Sequence, residues 1–329
     1  MCAAPHPAGD EGDRWSIGEL AERAGVTVKT VRFYSDRGLL PEGARTSGGH
    51  RRFGVDALGR LRFIRALRAL DVPVPEVRRL IESGVDSGGD AKGAAGAALA
   101  EVADRRLVEV GGRLAALRWR EAALRVVASG PAEERAERLL LVGALASPPN
   151  TAPLARFWRA WLPPRLPARL RSAVVEQAVP EPPDDPSPAQ VLAFARLHAF
   201  VSAPCGGGAL PQPAAHSTAE GYRPAVLYAG LTEAYGLAAA EMRAGQGPRA
   251  GGALDCFAAA YAGARGVRDT ADFRRALAGR LTADPRIDRY WELVTEVVSP
   301  PSGPPVPVPG TLHDWLLAAL RAETARRAG

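Results

Sequence analysis

Polar and apolar positions first fall into register at Ser16, which precedes Ile17-Gly18-Glu19-Leu20 with the glutamate three residues on. A serine hydroxyl bonding the third backbone N–H while a glutamate reaches back is a capping box, so a helix is expected from Ile17 to Ala24, closed by Gly25. Thr27 can cap a second helix, Val28 to Arg37, which Gly38 terminates ahead of Leu39-Leu40-Pro41. Two short helices about a Gly-containing turn predict a helix-turn-helix unit with Leu20, Ala24, Val26 and Val31 as its shared core. From Glu42 to Phe53 the turn Ser47-Gly48-Gly49 separates two short strand-like pieces, with His50-Arg51-Arg52-Phe53 on the return arm, and a wing is expected there. Leu58, Leu61, Phe63, Ile64, Leu67 and Leu70 then recur at helical spacing until Pro73 and Pro75 interrupt them. Pro75 suits the first position of a further short helix, Glu76 to Glu82, and Gly84 to Gly96 reads as a connector.

A long helix follows, from about Leu99 to Ala128. Ala103, Leu107, Val110, Leu114, Leu117, Leu124 and Ala128 alternate at four- and three-residue steps, interrupted only by Glu121, which is the seam of a coiled coil and calls for a partner helix. Gly111 and Gly112 each cost about 1 kcal/mol relative to Ala, so packing has to sustain the helix. Beyond Pro131, proline clusters at Ser147 to Pro149, Pro180 to Pro188, Cys205 to Ser217 and Ser299 to Gly310 read as loops. Ala-rich helical patterns lie between them: Leu154 to Trp161, Ala168 to Ala178, Ala189 to Val201, Pro224 to Arg243, Ala253 to Ala262, Thr270 to Leu281, Ile287 to Val298 and Thr311 to Arg327. No alternating strand pattern competes. The expected fold is therefore mainly α, with a winged helix-turn-helix head over 14–83, a coiled-coil dimerisation helix over 99–130 and an all-α C-terminal domain over 131–329.

Charge sharpens this organisation. Between Arg14 and Ile81 stand fourteen basic and seven acidic residues, so this stretch carries +7 and the rest of the chain −1 of a total of +6. A small segment holding the whole basic surplus is the footprint of a polyanion-binding surface. No run of about 18 apolar residues occurs, and Met1-Cys2-Ala3-Ala4-Pro5-His6-Pro7 has neither the basic start nor the apolar stretch of a signal peptide, so a cytoplasmic protein without membrane contact is expected. Cys2, Cys205 and Cys256 are widely spaced, and His198, His216 and His313 show no ligand spacing, so no metal is expected. No cofactor motif and no catalytic residues stand out, because Gly206-Gly207-Gly208 lies in a Pro-rich loop and no nucleophile elbow or Cys-His motif is present.

The run Val26-Thr27-Val28-Lys29-Thr30-Val31-Arg32-Phe33-Tyr34-Ser35-Asp36-Arg37-Gly38-Leu39-Leu40, followed by Gly49-His50-Arg51-Arg52-Phe53, resembles the MerR family of bacterial transcriptional regulators. The resemblance covers about residues 15 to 83 and extends, by order of elements, to the long helix. It implies a homodimer, joined by an antiparallel pair of long helices at Leu107, Val110, Leu114, Leu117 and Leu124. Such a dimer binds an inverted repeat in double-stranded promoter DNA and bends and untwists it for RNA polymerase holoenzyme. Thr27, Lys29 and Thr30 then stand at the groove-facing start of the second helix, with Lys29 and Thr30 as base readers. Arg32, Tyr34, Arg51 and Arg52 match positions that hold the phosphate backbone. Phe33, Ser35, His50 and Phe53 depart from the family pattern, and the lost phenol groups mean fewer backbone hydrogen bonds.

The resemblance also bears on the C-terminal half. Members that sense metal carry cysteine clusters after the long helix, which this chain lacks, whereas members with larger domains tend to bind organic molecules; an all-helical domain is closer in kind to the thiopeptide-sensing branch. Tyr228 and Tyr235 share a helical face, and Trp158, Trp161, Tyr290 and Trp291 offer further flat surfaces for a ring-containing, drug-like effector. Glu233 or Glu241 would meet a cationic group. Two alternatives stay open at this point: a drug-sequestering binding protein, and an effector-independent developmental regulator.

Overall fold

The computed structural model describes residues 14–41, 43, 45–46, 48–84, 92–202, 221–281, 285–300 and 302–326. Among the described residues the regular structure is helical, with isolated bridges and no strand. The chain divides into two compact units, with the boundary after Gly112.

In the first unit, α1 (Ile17–Ala24) opens on the expected capping box. Glu19 N donates to Ser16 Oγ at 3.3 Å, and Ser16 N donates to Glu19 Oε2 at 2.7 Å. Gly25 closes the helix at φ +62, a conformation only glycine adopts without strain. Thr27 caps α2 (Val28–Asp36). The wing is held by the bridge Arg45↔Arg51 and tied back by Trp15↔Phe53; the two expected strand-like pieces reduce to these isolated bridges. Ser47 and Glu42 lie outside the described residues.

Helices α3 (Val55–Ala69) and α4 (Val74–Glu82) cover the pair, and Leu20, Val31, Phe53, Leu61, Ile64 and Val77 are fully buried between them. Leu70 is 70% exposed instead of on the core face, because α3 ends at Ala69 and Asp71 at φ +60 turns the chain so that Val72 is buried in its place.

Helix α5 (Lys92–Ala128) starts seven residues before the expected Leu99 and takes in the end of the expected connector, whose alanines have high helix propensity. It continues through Gly111 and Gly112.

The second unit builds two hydrophobic cores. The first joins the C-terminal part of α5 to α6 (Arg135–Gly143), α7 (Ala152–Trp161), α8 (Ala168–Ala178), α9 (Pro188–Ser202) and α13 (Pro285–Val298). The second joins α10 (Pro224–Arg243), α11 (Gly252–Arg265), α12 (Ala271–Arg280) and α14 (Pro309–Arg326).

Helix α6 has no counterpart in the sequence reading. Only Val142 in it is buried while Leu139 and Leu140 are exposed, so it presents no apolar stripe; Arg138 anchors it through Val126 O at 3.3 Å and Glu134 at 2.8 Å. Pro188 and Pro309, expected in loops, open α9 and α14, where a missing N–H costs nothing. Arg274 pins three helices of the second core by pairing with Asp255, Asp269 and the buried Glu323 at 2.6–2.9 Å.

Candidate functional site

Three surfaces carry the predicted site residues. On the head, Lys29 and Arg32 are exposed and three residues apart, hence on one face of α2. Thr27 Oγ1 lies 2.9 Å from Thr30 Oγ1 and accepts from Thr30 N at 3.2 Å, so the two threonines are engaged with each other at the helix start.

Tyr34 differs from expectation: it is only 8% exposed, packed among Leu20, Val31 and Leu61, because its position on α2 faces α1 and α3. Arg51 is half-buried at the surface, its Nη1 paired with the exposed Asp36 Oδ1 and donating to Ser35 Oγ at 3.1 Å. Arg52 stands 3.8 Å from Glu19 Oε2. Part of the basic surplus has structural work: Arg65, Arg68 and Arg78 donate to the carbonyls of Ala24, Val72 and Arg37. Sequence reasoning missed the guanidinium of Arg37 lying 3.6 Å over the Phe33 ring, an i, i+4 pair whose signal was present in the spacing.

Along α5 the predicted seam residues Leu107, Val110, Leu114, Leu117 and Leu124 are 46–70% exposed, while Ala115 is buried and Trp119, Ala122 and Val126 are buried in the first core of the second unit. At 100° per residue, Leu117 lies roughly opposite Ala115, Trp119 and Val126. The C-terminal part of α5 thus has two apolar faces, of which the described residues cover one.

Within the second unit, where its two cores meet, lies a cavity of about 250 Å3. Trp158, Trp161, Tyr228, Tyr235 and Trp291 line it, five of the six aromatic residues expected at an effector site. Tyr290 does not: it is fully buried, stacks on Phe157 at 5.6 Å and donates its hydroxyl to Ala178 O at 2.7 Å, since one residue of helix rotation separates it from Trp291. Neither Glu233 nor Glu241 reaches the cavity; Glu241 pairs with Arg249 at 3.2 Å, and the acidic groups there are Asp288 and Asp314, with Arg280 and Arg321 as their basic counterparts.

At the cavity Tyr235 Oη and His313 Nδ1 are 3.0 Å apart. Burial lowers the His313 imidazole to about 4 and raises the Tyr235 phenol, so both are uncharged at neutral pH. An unfolded histidine titrates near 6.5, so the unfolded chain takes up this proton first and stability falls as pH drops from about 6.5 toward 4. Asp314 acts in the opposite sense, because burial raises its carboxyl, against the pull of Arg321. Denaturant unfolding at pH 7 and pH 4.5 is expected to show a loss about 2 kcal/mol larger in the wild type than in His313→Gln. Equal losses would remove His313 as the source.

Comparison with known proteins locates the head. Residues 15–84 match the family described as MerR HTH family regulatory protein. The nodulation protein NolA of Bradyrhizobium elkanii is 48% identical over 69 residues, 21% of this chain and 32% of that protein. The HTH-type transcriptional activator TipA of Streptomyces coelicolor is 43% identical over 68 residues, 21% of this chain and 27% of that protein. A crystal structure of the transcription regulator PbrR691 from Ralstonia metallidurans CH34 with lead(II) is 36% identical over 34% of this chain and 84% of that one, at a TM-score of 0.29. The chain spans about a third of the length of the NolA relatives it matches. No described helix is long and apolar enough to cross a membrane. With its capped α1 and α2, its glycine-closed turns and its matched sequence, the segment 15–84 is a helix-turn-helix domain of the MerR family.

Proposed function

We propose that this protein is a dimeric, DNA-binding transcriptional regulator whose helical C-terminal unit takes an organic effector. The observation that carries the reading is the exposure of Lys29 and Arg32 on one face of α2, within a domain of the MerR family. A recognition helix reads base edges near its N-terminus, where Lys29 stands, while Arg32 supplies phosphate attraction.

The uncovered seam on α5 supplies the dimer contact, and two heads then address the halves of an inverted repeat in a promoter, which the dimer bends and untwists for RNA polymerase. The buried position of Tyr34 and the Asp36 tether of Arg51 shift the expected phosphate contacts toward Arg32 and Arg52. An effector acts by binding one dimer geometry more tightly than another. The first core of the second unit contains both the cavity residue Trp158 and the α5 residues Trp119 and Val126, so occupancy has a packed route to the dimer helix.

Footprinting on the promoter of its own or an adjacent gene tests the DNA reading. Protection centred on an inverted repeat is expected, with affinity falling steeply as salt rises. Arg32→Ala is expected to weaken binding on all sequences and lower the salt slope by about 1, whereas Lys29→Ala relaxes sequence preference. Binding to no promoter fragment at low salt would overturn the reading.

A second reading, sequestration of a toxic compound, draws on the cavity lying wholly within the second unit. Transcription that responds to the bound compound favours regulation, and tight binding with no transcriptional response favours sequestration.

A further inference from the structure

The walls and polar groups of the cavity are distinct enough to say what it would hold. One side is indole: Trp158 packs edge-on to Trp161 at 5.1 Å and tilts 43° to Trp291 at 5.3 Å. Such surfaces favour flat π-systems in edge-to-face or offset contact. The space of about 250 Å3 sets the size. An apolar cavity of about 150 Å3 accepts benzene, so this one accommodates one or two rings and excludes a macrocycle.

The polar groups set the charge. Tyr235 and His313 together hold two exchangeable protons, one phenolic and one on the imidazole, and their 3.0 Å bond uses one of them. In either tautomer one donor and spare acceptor lone pairs remain for a third partner. The ionic groups at the cavity, Arg280 and Arg321 against Asp288 and Asp314, balance in number, so it offers no net attraction to an ion. Moving an ion against these indole walls would cost its hydration, with no surplus of opposite charge among the lining residues to offset it.

We infer that the cavity takes an uncharged aromatic compound of one or two rings, bearing a hydroxyl, amide or carbonyl group that hydrogen-bonds to the Tyr235–His313 pair. This deepens, and rests on, the reading of the cavity as an effector site. Tyr235 and His313 are then specificity-determining residues: they reject a ring of the same shape that lacks the polar group, because the pair would be left without its third partner.

The test is calorimetric titration of the full chain at pH 7 with three matched probes, 2-naphthol, 2-naphthoate and 2-naphthylmethylammonium. Naphthol is expected to bind at least tenfold more tightly than either ion. A Tyr235→Phe/His313→Phe double variant is expected to weaken naphthol roughly fivefold to tenfold, the size of one hydrogen bond, and to leave the ions unchanged. His313→Gln, which keeps a donor and an acceptor and guards against misfolding of the double variant, is expected to stay within about twofold of wild type. Thr232→Trp fills the cavity and is expected to abolish naphthol binding.

An ion binding as tightly as naphthol, naphthol affinity indifferent to the double variant, or no binding by any probe overturns the inference. An ion that binds as tightly as naphthol, and whose binding Thr232→Trp abolishes, would retain the cavity as an effector site while overturning the ligand class. Gel shift with a promoter fragment, run on the same preparations, reads the DNA-binding proposal separately.

Discussion

A Leu114→Glu/Leu117→Glu variant is expected to sediment as a monomer at concentrations where the wild type is a dimer, and to lose about 100-fold or more in affinity for an inverted repeat. The two leucines expose 46% and 59% of their surface within a single chain, on the uncovered face of α5. Fully burying an exposed leucine side chain contributes about 1.5–3 kcal/mol, so two half-exposed leucines per protomer contribute about 3–6 kcal/mol to the dimer, or about two to four orders of magnitude in its dissociation constant. Glutamate at both positions removes that term and places four carboxylates in the seam.

The DNA effect follows from linkage of the two heads. Once one half-site is held, the second binds as an intramolecular event, a gain of about 10²–10⁴ that a monomer forgoes. Because neither side chain belongs to the core of its own chain, circular dichroism and thermal unfolding of the monomer should show intact helices. A double variant that remains dimeric in analytical ultracentrifugation would move the interface elsewhere, with exposed Leu139 and Leu140 on α6 the next surface to substitute.

Gly310→Ala is expected to lower the melting temperature of the second unit by about 6–12 °C and to abolish cavity binding. A Cβ on Gly310 would stand 2.2 Å from Cγ and 2.4 Å from Cβ of Trp291, far inside contact distance and at the root of the side chain, where no rotamer change relieves it. The start of α14 must therefore move away from α13, or Trp291 must leave its place in the cavity wall. Overpacking of this kind costs about 3 kcal/mol, and each kcal/mol shifts the midpoint by about 2–4 °C in a unit of this size.

Gly236→Ala supplies the contrast. That glycine lies inside α10 with nothing within 4 Å of a built Cβ, so alanine there should stabilise by about 0.5–1 kcal/mol through backbone entropy alone. If Gly310→Ala melted with the wild type, the close approach of α13 and α14 would not hold in solution.

The features legible from the chain are those whose cause is local. Ser16 and Glu19 build a capping box within four residues, Gly25 and Gly38 adopt positive φ where the helix-turn-helix needs it, and the bounds of α8 and α10 coincide with their apolar periodicity. The apolar face of α5 could be read for the same reason, since its spacing alone puts Leu107 to Leu124 on one side of the helix. Helix α6 escaped because a helix with a single buried residue has no period to detect.

Periodicity states that a side chain faces inward, not what it will find there. That Tyr34 serves the core of the head and Asp36 detains Arg51 depended on how α1, α3 and the wing close on α2. Among six aromatic candidates, packing sent Tyr290 into the core and its neighbour Trp291 to the cavity, and it brought Tyr235 to His313 across 78 residues of chain. The order of elements, the capped head and the apolar face on the long helix were therefore written in the sequence, because each arises from neighbours three or four residues apart. The cavity, its neutral hydrogen-bonding pair and its balanced charges were decided only by tertiary structure, because they exist where helices distant in sequence stop short of filling the space between two cores.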